Sequence, residues 1–148
     1  MVVEYGKATE HEMEEIFSLA GINRAEATGI QADNNKDNMI ASYLDSLDHG
    51  AYFLVARTND SLIGWVLVDR SVDWFTHKEI GWISDVYVKQ EFRKNGVAKA
   101  LIEQSLAEFK YLGYDDVSLN VFSFNEKAIR LYEKLGFKDV SKFMRIEL

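Results

Sequence analysis

Tyr132 and Asn125 stand seven residues apart in the segment Asn125–Leu135. At about 3.6 residues per turn that is two turns, so on a helix the two side chains share one face and can line one slot. A tyrosine hydroxyl can protonate a leaving group. Read only by its neighbours Ala128, Leu131 and Leu135, Tyr132 is a core tyrosine with a satisfied hydroxyl, and Asn125 is a helix N-cap. A second centre is Asp85, a carboxylate inside an otherwise apolar run, Glu79–Val88. Alternation puts Gly81, Ile83, Asp85 and Tyr87 on one face and Trp82, Ser84, Val86 and Val88 on the other. An unpaired buried carboxylate is costly. Asp85 is therefore a base or a seat for a cation, or else it takes a structural hydrogen bond. Ser84 could only order a water, and Glu79 reads as solvated.

The third centre is a loop. Val86-Tyr87-Val88 ends a strand, and Arg93-Lys94-Asn95-Gly96-Val97-Ala98 opens a long helix. A helix N-terminus offers unpaired N–H groups and the positive end of the macrodipole, which suits phosphate. Gly96 lets backbone approach a ligand, Ala98 leaves room, and Arg93, Lys94 and Lys99 add positive charge. The loop is neither a Walker sequence nor a dinucleotide fingerprint. On local chemistry it is either a phosphate cradle or a basic helix cap.

These residues need elements to hold them. Val2–Ala8 reads as a strand, and Thr9 with Glu12 as a capping box for a helix that runs to about Leu19 and stops at Gly21. Ile22–Asn38 is polar and reads as a loop or broken helix. Helical spacing resumes over Met39–Leu47. Ala51–Arg57 and Leu62–Asp69 form a hairpin around Thr58-Asn59-Asp60-Ser61. Ser71–Lys78 is a connection to the Glu79–Val88 strand. Gly96–Leu112 is an amphipathic helix ended by Gly113. Val117, Leu119 and Val121 alternate as a strand. Asn125–Leu135 is the last helix, and Phe137–Leu148 one strand or a short pair. The order is a mixed α/β arrangement in one domain, residues 1–148.

Bulk properties exclude several chemistries. The 148 residues contain no cysteine, so disulfides and thiolate nucleophiles are absent. His11, His49 and His77 lack metal-ligand spacing, and no metal is expected. No Ser-His-Asp set appears. The net charge of −7 repels nucleic acid and favours cationic partners. No run approaches the roughly 20 apolar residues that span a bilayer. Met1–Tyr5 lacks a basic leader, so a cytoplasmic protein is expected, binding neither membrane nor nucleic acid.

The stretch R-K-N-G-V-A resembles the Q/R-x-x-G-x-G/A signature of the GNAT superfamily of N-acetyltransferases. Its context is similar too: V-Y-V before it, a long helix after it, and Asn125–Phe137 matching N-x-x-A-x-x-L-Y-x-x-x-G-F. Lys94 stands where glycine is frequent, and Gln90 where proline is frequent. The resemblance implies a central mixed, largely antiparallel sheet of six to seven strands with about four helices, splayed between the fourth and fifth strands by a bulge. It implies acetyl-CoA as cosubstrate. Backbone amides of Arg93, Lys94, Asn95, Gly96, Val97, Ala98 and Lys99 would hold the pyrophosphate, and Val86, Tyr87 and Val88 the pantetheine arm. Asn125 would contact that arm, and Tyr132 would be the general acid. A carboxylate near Asp85, or the residue at Ser84, would serve the amine. Transfer would be direct, because an ammonium with a pKa of about 10.4 must lose its proton before it attacks.

The acceptor is expected to be a primary amine of a small molecule, a peptide N-terminus or a lysine. Ile22–Asn38 and Ser71–Lys78 would border its cleft, with Asp33, Asp37, Asp73, Trp74, Phe75 and Glu79 suited to a cation. A homodimer through the sheet edge or the C-terminal strand is expected from similar proteins. The alternatives are another acyl donor or acceptor, a non-catalytic acyl-CoA-binding module, and a nucleotide-phosphate-binding protein that lacks an acidic Mg²⁺ motif.

Overall fold

A computed structural model describes all residues, Met1–Leu148. Thr9 and Glu12 exchange the two hydrogen bonds of a capping box, and a first helix, α1 (Glu10–Ser18), grows from it behind strand β1 (Glu4–Lys7). The chain kinks at Leu19 and continues as α2 (Ala20–Thr28), then α3 (Asn35–Asp48). Strands β2 (Tyr52–Thr58) and β3 (Ser61–Val72) form the expected hairpin, with Asn59 and Asp60 both at positive φ. Strand β4 (Glu79–Val88) leads through a single 3-10 turn, Gln90–Phe92, to α4 (Val97–Tyr111). Strand β5 (Val117–Leu119) and α5 (Glu126–Lys134) follow.

The sheet runs β1-β2-β3-β4-β5, antiparallel except for the parallel β4–β5 pair. Both faces of β2 and β3 are covered. On one side Val66, Val68, Ile83, Leu101, Ile102 and Phe109 pack under α4, and α5 leans on this layer through Leu131 and Tyr132. On the other, Ile16, Ala20, Tyr43, Phe53, Trp65 and Leu67 pack under α1–α3. Burial on both faces explains why β2 and β3 read as continuous apolar runs.

Several expectations are corrected. The sheet has five strands rather than six or seven, and there are five α-helices rather than about four. Of the two readings of 22–38, the broken helix holds, with the end of α2 and the start of α3 inside it. Gly21 does not stop a helix. It lies inside α2, where a Cβ would stand 3.3 Å from the Lys36 Cβ, so it allows α2 and α3 to approach. β3 runs on to Val72, and β5 ends at Leu119 rather than Val121. Lys138–Leu148 forms no strand and is exposed throughout. Its alternation supplies a pattern, but a strand exists only through a paired neighbour.

Candidate functional site

The site grows from an irregularity in β4. Leu67 pairs with Asp85 and Val68 with Ile83, so Ser84 is an extra residue, a β-bulge. On its other side β4 pairs with β5 only through Gly81, Trp82 and Ile83. From Ser84 to Val88 the strand has no β5 partner, and a slot opens between them.

The slot points at the start of α4. Gly96 caps this helix at φ +75°, and no side chain bonds to its first turn. The first intrahelical bond of the turn is Ala100 N–H to Gly96 C=O, 3.0 Å, which leaves the N–H groups of Val97, Ala98 and Lys99 free of backbone acceptors. Lys94 is also left-handed, at φ +67°. Two left-handed residues beside a helix start turn successive amides inward as an anion nest. The positive φ explains why glycine suits position 94, and the lysine bears that strain here. Val97 is buried and offers only its backbone; Lys94, Asn95 and Lys99 are exposed.

Arg93 lies across the loop. Its Nε donates to the Val88 carbonyl at 2.7 Å, its Nη2 to Glu26 Oε2 at 2.8 Å, and its guanidinium covers the Tyr87 ring at 5.3 Å. Asn125 sits just before α5, as expected of a cap, but its Nδ2 donates to the Ala27 carbonyl, 3.3 Å, and not to the helix. Helix α2 therefore touches both the loop before α4 and Asn125.

Asp85 sits at the bulge with a partly buried side chain. Its Oδ2 accepts from Tyr43 OH at 2.5 Å, Trp65 Nε1 at 2.8 Å and Asn23 Nδ2 at 2.9 Å; Oδ1 accepts from Asn23 Nδ2 at 3.0 Å. Burial pushes its pKa up, and these hydrogen bonds oppose that rise. Tyr132 packs edge-on against Phe137, with ring centroids 5.8 Å apart. Burial, and then the Asp85 charge, push the hydroxyl above its ordinary value. No buried polar side-chain atom lacks a partner. The Tyr132 hydroxyl makes no protein hydrogen bond, so it is not sealed in the core. Asp85 and Tyr132 are thus brought together.

Ser84 is exposed and donates to Asp69 Oδ2 at 2.6 Å. Asp73 is spent on its own turn, accepting from the Phe75 N–H and the Thr76 hydroxyl, and Glu79 accepts from Tyr114. With Trp74 and Phe75 they lie at the Glu79 end of β4, away from the α4 N-terminus. No group of His, Cys, Asp and Glu side chains could hold a metal ion. No helix is long and apolar enough to cross a membrane.

A model of the acetyltransferase (GNAT) family matches residues 11–137. The chain belongs to that family. Among relatives, an N-alpha-acetyltransferase of Saccharolobus solfataricus is 30% identical over 100 residues, 63% of this chain and 60% of that protein. The chain thus aligns with only about three-fifths of that relative's length. A putative acetyl transferase from Pyrococcus furiosus superposes with a TM-score of 0.83 at 23% identity, over 99% of this chain and 100% of that one. A predicted acetyltransferase with acetyl-CoA from Clostridium acetobutylicum gives 0.75 at 17% identity, over 99% and 96%. These two likenesses concern the fold.

For a GNAT protein, the motif-bearing residues were legible, but the partners of Asp85 were not. Asn23, Tyr43 and Trp65 are 2%, 1% and 0% exposed. Only Trp65 carried a signal, since a buried indole N–H needs an acceptor. Asn23 fell in a stretch read as loop or broken helix, and Tyr43 on an ordinary helix stripe.

Proposed function

We propose that this chain transfers an acetyl group from acetyl-CoA directly to a primary amine, the α-amine of a peptide or of a small molecule. One observation carries the reading. The stretch of β4 without a β5 partner, Ser84–Val88, carries Asp85 and leads to an uncapped helix N-terminus whose nest suits a diphosphate. The residues fit such a cosubstrate: amides of Lys94–Lys99 for the diphosphate, since the Arg93 N–H is already given to the Gln90 carbonyl at 3.3 Å, the β4 edge at Val86–Val88 for an extended arm, and Asn125 alongside. Bound there, acetyl-CoA supplies an activated acyl group and a thiolate leaving group.

The chain's own residues do the rest. Asp85 seats the ammonium and takes its proton. Tyr132, kept protonated by burial and by the Asp85 charge, gives a proton to the departing sulfur. Direct attack balances without an acyl-enzyme: the amine nitrogen bonds to the carbonyl carbon as the carbon–sulfur bond breaks, Tyr132 protonates the departing thiolate and recovers a proton from the new amide nitrogen, and the first ammonium proton leaves Asp85 to solvent. The relative's name, N-alpha-acetyltransferase, favours a peptide N-terminus as acceptor.

To hold the cofactor, Arg93 must release Glu26, and Asn125 must release Ala27. The test is thermal shift with acetyl-CoA, then thiol release with a panel of peptides and small amines. A stabilising shift and release dependent on one acceptor class support the reading. No shift with acetyl-CoA ends it, and binding without turnover on any amine makes the chain a non-catalytic acyl-CoA binder.

A further inference from the structure

We propose that Tyr43, Trp65 and Asn23 are positioning residues that saturate Oδ2 of Asp85, so that the acceptor amine meets Asp85 through Oδ1 alone. This rests on the reading of Asp85 as the group that takes the amine's proton.

Each carboxylate oxygen has about two lone-pair sites. Oδ2 receives Tyr43 from α3 and Trp65 from β3, which fill its two sites, and shares with Oδ1 the one Asn23 hydrogen not given to Tyr43. Oδ1 receives one, from Asn23, and keeps room for another. The donors are themselves ordered. Asn23 Nδ2 also donates to the Tyr43 oxygen at 3.0 Å. A tyrosine has a single hydroxyl hydrogen, so this bond directs it at Asp85. The carboxyl plane is thereby held from several elements at once.

The charge pattern matches. No lysine or arginine pairs with Asp85; the ion pairs of the protein lie elsewhere. The titratable groups facing it are Tyr43 from α3 and Tyr132 from α5, both neutral at working pH. Asp85 is thus a carboxyl group supplied with hydrogen bonds but no counter-ion. The missing cation is the acceptor's ammonium. Burial favours the protonated acid, while the donors on Oδ2 favour the carboxylate. Removing a donor makes Asp85 bind its proton more tightly.

The experiment compares wild type, Tyr43→Phe, Trp65→Phe and Asp85→Asn in the full chain, using acetyl-CoA and a tetrapeptide with a free α-amine. Two quantities are read: the acidic limb of kcat/KM against pH, and the Asp85 Cγ titration by ¹³C NMR. Tyr43→Phe is expected to move both upward by about one pH unit, a tenfold change in proton affinity, because a hydrogen bond to a charged group is lost. Trp65→Phe moves them the same way. An Asp85→Asn variant with wild-type turnover would refute the role of Asp85 itself. An inactive Asp85→Asn beside a Tyr43→Phe whose limb and Cγ midpoint stay in place overturns the positioning proposal and leaves Tyr43 structural. If Tyr43→Phe does not fold, Asn23→Ser carries the same test, with the same upward shift expected.

Discussion

Replacing Tyr132 by phenylalanine removes one oxygen and little else. The hydroxyl has no protein partner, so its loss orphans no donor or acceptor, and the ring keeps its contact with Phe137. Unfolding free energy should change by less than about 1 kcal/mol. Catalysis is a different matter. A positioned general acid is worth about 10²- to 10⁴-fold. At about 1.4 kcal/mol per tenfold, that is roughly 3–5 kcal/mol of transition-state stabilisation. The expected result is a fall of kcat in that range with acetyl-CoA affinity and melting temperature unchanged. Initial rates of thiol release, calorimetric titration with acetyl-CoA and thermal melts read the three quantities. The pH profile adds a check. Burial, then the Asp85 charge, raise the hydroxyl's pKa above the ordinary value of about 10, so the proton is retained through the alkaline range and wild-type kcat shows no loss assignable to Tyr132 below about pH 10. A phenylalanine variant that binds acetyl-CoA, melts as wild type does and turns over at the wild-type rate refutes the assignment.

Glu26→Gln tests the proposed competition between this carboxylate and the cofactor for Arg93. Because the pair is partly exposed, acetyl-CoA should bind only about two- to fivefold tighter, and calorimetry showing equal or weaker binding rejects the competition. Gly81→Ala places a Cβ 2.6 Å from Phe109 Cδ1; overpacking of this kind costs about 1–3 kcal/mol, and an unchanged urea midpoint counts against the packing described. Glu12 has its pKa lowered, first by its hydrogen bonds with Arg57. A lowered folded value contributes stability above the unfolded pKa and loses it as pH falls through the folded one. Glu12→Gln should therefore melt below wild type at neutral pH, with the two curves converging in acid; a gap that persists unchanged in acid contradicts the linkage.

Much of this protein was legible because its signals are local. The Thr9–Glu12 box, the Asn59–Asp60 turn and Gly113 after α4 act within a few residues of themselves, and each does in the structure what its chemistry requires. The loop proposed to hold phosphate is local as well. A strand end, a left-handed residue and a helix start occupy one continuous segment, so residue types and order suffice to mark it. Asn125 and Tyr132 lie on a single helix.

The errors share a different cause. Residue type and order marked the candidate residues and the short segments that turn, cap or alternate. What those residues touch depends on packing. Asp85 takes its hydrogen bonds from residues 62, 42 and 20 positions away, and Arg93 finds Glu26 at a distance of 67. The extra residue at Ser84 arises from the register between β3 and β4, not from its own type. Phe137–Leu148 alternates like a strand and yet pairs with nothing. A side chain's own conformational preferences are fixed by its neighbours in the chain, but a buried polar group takes whichever partner packing brings within hydrogen-bond reach, and that choice belongs to the fold.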